Sequence, residues 1–160
     1  MSVSISTVIF LLIAAILNGL LGGSSFDKAL VSLPARKKIG AITFATYSRA
    51  NDLGRGLIVY PILGIGAPIL TIVGFIMVLF DHESPWGLIV IAGIAASLSI
   101  AHIVTTSRAA PIMLGLKNLG DDDDINIASI LDRFTRWHVV RAILQVSTMI
   151  FSILALVVLA

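Results

Sequence analysis

The stretch RFTRWHVVRAILQVSTMIFS, residues 133–152, joins a charged and aromatic run directly to an apolar segment. At the three- and four-residue spacing of a helix, one of its faces reads His138, Arg141, Gln145, Thr148 and Ser152. Polar side chains are costly in hydrocarbon unless they face other helices or a cavity. The stretch therefore predicts a membrane-spanning helix whose polar face is turned toward its neighbours.

The composition of the whole chain predicts an all-α integral membrane protein. Of its 160 residues, 58% are hydrophobic and 12% are charged, and the mean hydropathy is +1.04. Four apolar runs are long enough to cross about 30 Å of hydrocarbon at about 1.5 Å per residue. They are residues 5–26, 57–80, 86–104 and 139–160. We therefore expect a single domain, residues 1–160, that folds as a polytopic membrane four-helix bundle. The first run has no basic segment before it, so we expect it to be retained and not cleaved as a signal peptide.

The distribution of charge predicts the orientation of this bundle. With four crossings, all 11 lysines and arginines lie on one side of the membrane. The turn at residues 81–85 on the other side carries Asp81 and Glu83 and no lysine or arginine. The positive-inside tendency places the basic side in the cytoplasm and both termini outside the cell membrane. The bases are spread along a membrane face, where they are suited to lipid phosphates, and we expect no nucleic-acid partner.

Prolines and acidic residues predict where the helices bend and end. Pro34 is expected to end the first helix, and residues 35–53 form an amphipathic pattern typical of a helix at the cytoplasmic surface. Pro61 and Pro68 predict a kink in the second span. The acidic run 121–124 favours the start of a long fourth helix that projects from the membrane as a rod of roughly 50 Å.

Polar residues converge in the predicted cytoplasmic half of the bundle, where they define a candidate site. The catalytic candidates are His102 and His138, because an imidazole with a pKa near 6.5 serves as a general acid or base. Six further residues are candidates for ligand binding: Asn18, Tyr60, Trp137, Arg141, Gln145 and Arg108. An apolar pocket with donors, a cation and two imidazoles is typical of a site for a hydrophobic aromatic, quinone-like or lipid-like molecule. We expect such a ligand to bind in this pocket. If the protein is an enzyme, the activity that we consider is oxidation of this ligand.

Several other interpretations stay open at this point. Asn18 is suited to hydrogen bonding between helices, and Arg141 to pairing with Asp52 or to reaching lipid phosphate. His102 and His138 lie at similar depth on adjacent helices and are therefore candidates to bind haem iron; no other metal site is predicted, and the absence of cysteine excludes thiolate ligands. An accessory subunit of a larger membrane complex, or a homo-oligomer, accounts for the small-residue faces. A transporter is disfavoured because the chain shows no inverted repeat.

Three segments resemble the anthrone oxygenase-like family of small four-helix membrane proteins. They are GLLGGSSFDKALVSLP at 19–34, AHIVTTSRAAPIMLGL at 101–116 and RFTRWHVVRAIL at 133–144. Five residues stand at places where the family pattern has its motif: Thr105, Pro111, Trp137, His138 and Arg141. The resemblance implies a four-helix bundle and, from characterised fungal members, oxidation of anthrones to anthraquinones without an obvious cofactor; bacterial and archaeal members are mostly a domain of unknown function. The family often has Asn after the proline, whereas this sequence has Met113 and Gly115 in that neighbourhood.

Overall fold

The computed structural model describes residues 3–159, so the ends of the predicted domain, residues 1, 2 and 160, lie outside the described residues. The described chain contains six α-helices and three short helical segments of other pitch. The α-helices are α1 (Ile5–Asp27), α2 (Leu33–Ile39), α3 (Ala41–Ala50), α4 (Gly56–Phe80), α5 (Trp86–Leu114) and α6 (Asp124–Val157). A π-helical segment, Lys28–Ser32, joins α1 to α2, and a 3₁₀ turn, Gly115–Asn118, extends α5. The segment Asn51–Arg55 joins α3 to α4 with a kink at Gly54, whose φ of −93° and ψ of −113° are not helical.

These elements form four long rods that pack as a four-helix bundle. The rods are Ile5–Ile39, Ala41–Phe80, Trp86–Asn118 and Asp124–Val157, and each is long and apolar enough to cross a membrane. α1 contacts α4 and α6, and α5 contacts the same two helices from the opposite side. Large apolar side chains lie exposed around the outside, as expected where lipid is the solvent. The predicted all-α four-helix bundle is confirmed, and its composition makes it a multipass membrane protein.

The prediction that Pro34 ends the first membrane-spanning helix was wrong, because the first rod continues through Pro34 to Ile39. The N–H of Leu33 bonds the carbonyl of Lys28, five residues back, and this wider turn accommodates the proline that follows. The rod instead ends at Gly40, whose φ of 84° is a conformation that residues with a Cβ rarely adopt. The amphipathic segment at residues 35–53 is therefore divided at Gly40: its first part completes the first rod, and the rest begins the second.

The core is built from two apolar clusters at opposite ends of the bundle. One cluster, at the end that carries the basic residues, centres on Phe44, Leu116 and Leu131, all 0–2% exposed. The other centres on Val78 and Leu88. Buried polar side chains occupy the length of the bundle between them. The interior between the two apolar clusters is therefore polar, and this is where a candidate site is to be sought.

The fourth rod has the predicted length but does not stand alone. Its 34 residues span about 51 Å at about 1.5 Å per residue, and it begins where the side chain of Asp123 accepts a hydrogen bond from the Asn126 N–H at 3.3 Å. Ile127 and Leu131 in its first turns pack in the same cluster as Leu33 and Phe44. The other rods therefore extend beside it at the basic end.

Candidate functional site

A cavity of about 310 Å³ lies between the four rods, next to the basic end of the bundle. We call it the bundle cavity. Its wall is mostly apolar, with contributions from Leu21, Leu53, Ile65 and Met113. Its polar and charged lining consists of Ser24, Ser25, Lys28, Asp52, Tyr60, His102, Thr106, His138, Arg141 and Gln145. Because every rod contributes to this wall, the cavity is a property of the assembled bundle.

His138 connects two rods and fixes Arg141 inside the cavity. Its Nε2 lies 3.2 Å from the carbonyl oxygen of Ser25, and its Nδ1 lies 2.8 Å from an amino nitrogen of Arg141. A carbonyl only accepts and a guanidinium only donates, so Nε2 carries the proton and Nδ1 accepts. The imidazole is therefore neutral, with both ring nitrogens in use. Phe134 stacks on its face at 5.4 Å between ring centroids, which holds the ring in this orientation.

His102 and Gln145 form the second polar pair of the cavity. The side-chain nitrogen of Gln145 lies 2.7 Å from Nε2 of His102, and both side chains are 2–3% exposed. In this orientation the amide oxygen of Gln145 is buried without a hydrogen-bond partner. The opposite amide orientation would bond His102 through that oxygen and leave the amino group free instead. In either case Gln145 holds His102 and keeps one amide atom unpartnered.

Lys28 and Asp52 form an ion pair at the basic end of the cavity, and Asp52 is only 6% exposed. The ammonium of Lys28 also lies 5.6 Å from the ring centroid of Phe134 and 6.0 Å from that of Tyr60, at the outer range of cation–π attraction. The sequence analysis did not select Lys28. A signal for it was present, however, because Lys28 stands one helical turn after buried Ser25 on the same face.

The wall contributed by α4 is shaped by glycine and proline. Gly56 leaves room for the ring of Tyr60, since a Cβ there would lie 2.8 Å from Cε2 of that ring. Pro61 and Pro68 have no N–H to donate to the carbonyls of Leu57 and Gly64, four residues earlier. Leu57 and Gly64 both line the cavity. The helix therefore lacks two of its backbone hydrogen bonds beside the cavity.

Five of the eight predicted site residues meet in the bundle cavity, and three do not. His102, His138, Tyr60, Arg141 and Gln145 line it. Asn18 lies deeper in the bundle, where its side-chain nitrogen donates to Thr71 Oγ1 at 2.8 Å and to the Ala14 carbonyl at 2.9 Å. It bonds one helix to another, which is the alternative that the sequence analysis left open.

Arg108 and Trp137 line a different space. They lie on an outer groove of about 520 Å³ between α5 and α6, together with Ser107, Pro111 and Arg133. Both side chains are exposed, and neither belongs to the lining of the bundle cavity. The structure therefore separates these two residues from the histidines with which the sequence analysis had grouped them.

The two histidines are poorly arranged for haem. An iron ligand needs a free imidazole lone pair, and the single lone pair of neutral His138 already accepts from Arg141. Nε2 of His102 is bonded to Gln145. Within residues 3–159, no group of three or more histidine and acidic side chains is placed to hold a metal ion. Binding of iron by either histidine would therefore require these hydrogen bonds to be broken.

Comparison with known proteins does not assign a family or a function to the chain. No protein-family model matches the sequence, and no curated protein or solved structure is significantly similar to the chain. The resemblance to the anthrone oxygenase-like family stays a prediction. The function must therefore be argued from the bundle cavity itself.

Proposed function

We propose that this multipass membrane protein binds a small hydrophobic molecule with an oxygen-bearing polar edge in the bundle cavity. One observation carries the proposal: polar atoms of the cavity wall are buried and have no hydrogen-bond partner among residues 3–159. They are Oδ1 of Asp52, Nε of Arg141, Oε1 of Gln145 and Oγ1 of Thr106. Buried polar groups in folded proteins are nearly always partnered, so a cluster of free ones marks a place where a bound molecule supplies the partners.

The size and the wall of the cavity support the same function. Its volume of about 310 Å³ is at the lower end of the range of about 300–1,000 Å³ found for small-molecule sites. An apolar wall interrupted by a few polar groups suits a ligand that is itself mostly apolar and carries a polar group. The ligand class is therefore a hydrophobic aromatic, quinone-like or lipid-like molecule.

The entrance that we propose lies on the side of α4. Leu57, Tyr60 and Ile65 line the cavity and are also 40%, 39% and 57% exposed on the outer surface of the bundle. In a bilayer that surface faces lipid, so a hydrophobic molecule reaches the cavity sideways without crossing water. The positive-inside tendency places this entrance near the cytoplasmic leaflet, with both termini outside.

The contacts favour binding over catalysis by both histidines. His138 uses both ring nitrogens to hold Ser25 and Arg141, so its role is to position the arginine. His102 is the remaining imidazole of the cavity and the candidate for proton transfer to or from a bound molecule. Oxidation of the bound ligand is tested by activity assays on the identified molecule.

The proposal is tested by identifying what the protein carries when it is purified. The protein is extracted in a mild non-ionic detergent, its visible spectrum is recorded, and its organic extract is analysed by mass spectrometry against an empty-vector preparation. We expect an enriched hydrophobic molecule with at least one oxygen function, whose addition raises the Tm in proportion to RT ln(1 + [L]/Kd). No enriched molecule, together with an unchanged Tm across added quinones, aromatics and fatty acids, would contradict binding and favour the accessory-subunit interpretation.

A further inference from the structure

The bundle cavity contains more positive than negative charge. Among the described residues of its wall, Lys28 and Arg141 are cations and Asp52 is the one carboxylate, which leaves a net charge of +1. Neither histidine of the wall alters this count. The two hydrogen bonds of His138 fix it in the neutral form, and Nε2 of His102, which faces the amide nitrogen of Gln145, accepts and carries no proton. Asp27, next to Lys28 in the chain, is exposed and accepts a hydrogen bond from the Ser32 hydroxyl, so it does not line the cavity.

Arg141 is the cation of the wall that makes no ion pair with another described residue. Asp52 is ion-paired with Lys28, whereas the hydrogen bond that Arg141 makes within the described chain goes to neutral His138. Its Nε is buried and has no hydrogen-bond partner. A guanidinium presents its donors as a planar fork that matches a carboxylate, and an uncompensated charge away from water is costly. The free side of Arg141 is therefore built for an anionic oxygen.

We propose that the bundle cavity selects an amphipathic monoanion, with the carboxylate bound by Arg141 and a hydrocarbon or aromatic body in the apolar part of the cavity. This inference rests on the proposed function and narrows its ligand class, since a single negative charge is what neutralises the cavity. Neutral quinones of similar size lack that charge and bind more weakly.

The test compares two probes of similar shape and different charge, 2-naphthoate and neutral 2-acetonaphthone. Their Kd values are measured from the ligand dependence of Tm, in the same non-ionic detergent, for the wild-type protein, for Arg141→Gln and for Arg136→Gln. Arg136 is exposed on the same helix and does not line the cavity, so it is the matched control. Comparing each variant with the wild type for one probe cancels the partition of that probe into detergent.

We expect Arg141→Gln to weaken 2-naphthoate binding by about 10- to 100-fold, as is typical for a lost hydrogen bond to a charged group. Binding of 2-acetonaphthone should change by less than about 3-fold, and Arg136→Gln should leave both Kd values unchanged. Asp52→Asn, which raises the cavity charge to +2, should tighten 2-naphthoate binding. If Arg141→Gln does not fold, Arg141→Lys replaces it: loss of the forked donors should weaken 2-naphthoate and spare the neutral probe.

The outcomes separate this inference from the proposed function. If the substituted Arg141 weakens both probes equally, the selection for an anion is wrong while binding in the cavity stands. If neither probe shifts the Tm of the wild-type protein, no amphipathic ligand in the naphthalene size range binds, and both the inference and its basis are contradicted.

Discussion

Replacing His138 by Phe removes two hydrogen bonds, one to the Ser25 carbonyl of α1 and one to Arg141 of α6. It keeps an aromatic ring against Phe134. The hydrogen bond to the Ser25 carbonyl links two helices, and such bonds in membrane proteins are worth about 0.6 to 1.7 kcal/mol. The bond to Arg141 involves a charged donor and is worth about 1.5 to 3 kcal/mol. We therefore predict that His138→Phe lowers the free energy of unfolding by about 2 to 5 kcal/mol.

The assay is reversible unfolding in mixed micelles, with helix content as the readout. His82→Phe is the matched control, because His82 is exposed in the turn before α5 and its substitution should change stability by less than about 0.5 kcal/mol. In an Arg141→Met background, His138→Phe should be milder, since the bond between the two side chains is already absent. A loss below about 0.5 kcal/mol for His138→Phe in the wild-type background would refute the account of this contact.

Three further predictions follow from packing, hydrogen bonding and charge. A Cβ on Gly22 would lie 3.5 Å from the Gln145 carbonyl oxygen of α6, so Gly22→Ala should fold normally and Gly22→Leu should lower the Tm by forcing the helices apart. Asn18→Leu should lower the unfolding free energy by about 0.6 to 1.7 kcal/mol in the same micelle titration, because it removes the bond to Thr71. The Ser4 N–H, at 2.8 Å, is the main cause that lowers the pKa of Asp81 below its ordinary value, with smaller contributions from the Glu83 N–H and the Thr7 hydroxyl. The stabilisation by ionised Asp81 is then complete above the ordinary aspartate pKa and is lost as the pH falls through the lowered one, so the Tm difference between wild type and Asp81→Asn should shrink as the pH falls below the ordinary aspartate pKa of about 3.9.

The rods and their polar faces could be predicted from the sequence because helical periodicity is strong in apolar segments. His138, Arg141 and Gln145 are three to seven residues apart and return to one face of α6. Trp137 could have been excluded by the same rule, since consecutive residues on a helix point about 100° apart and Trp137 cannot share the face of its neighbour. It was grouped with His138 by adjacency in sequence, and the structure places it on the outer groove.

Other features depend on contacts that one sequence does not display. The π turn before Pro34 requires a shift of the backbone hydrogen bond to Lys28, and the rod then continues to Ile39. The depth of Asn18 was also misjudged: it lies one helical turn beyond Leu21 of the cavity wall, and its side-chain nitrogen bonds Thr71 and the Ala14 carbonyl. The pairing of Lys28 with Asp52 joins two rods that are separated by a turn whose direction periodicity does not determine.

Two leucine substitutions on α4 test whether ligand binding depends on the open space of the bundle cavity. A Cβ at either Gly64 or Gly66 of α4 would meet no atom within 4 Å, so both positions have room for a larger residue. Gly64 lines the bundle cavity and Gly66 does not. Gly64→Leu therefore fills the site, and Gly66→Leu is its control with the same change of composition on the same helix.

The most direct test of the central claim is photocross-linking of the reconstituted protein with a diazirine-bearing fatty acid, mapped by mass spectrometry. We predict cross-links on cavity residues such as Met113 that saturate, are displaced by excess unlabelled fatty acid, are lost in Gly64→Leu and persist in Gly66→Leu. Cross-links on outward-facing residues such as Ile150, which is 47% exposed, should rise linearly with probe and resist competition. Cross-links confined to the outward-facing residues, with none that saturate in the cavity, would contradict the account.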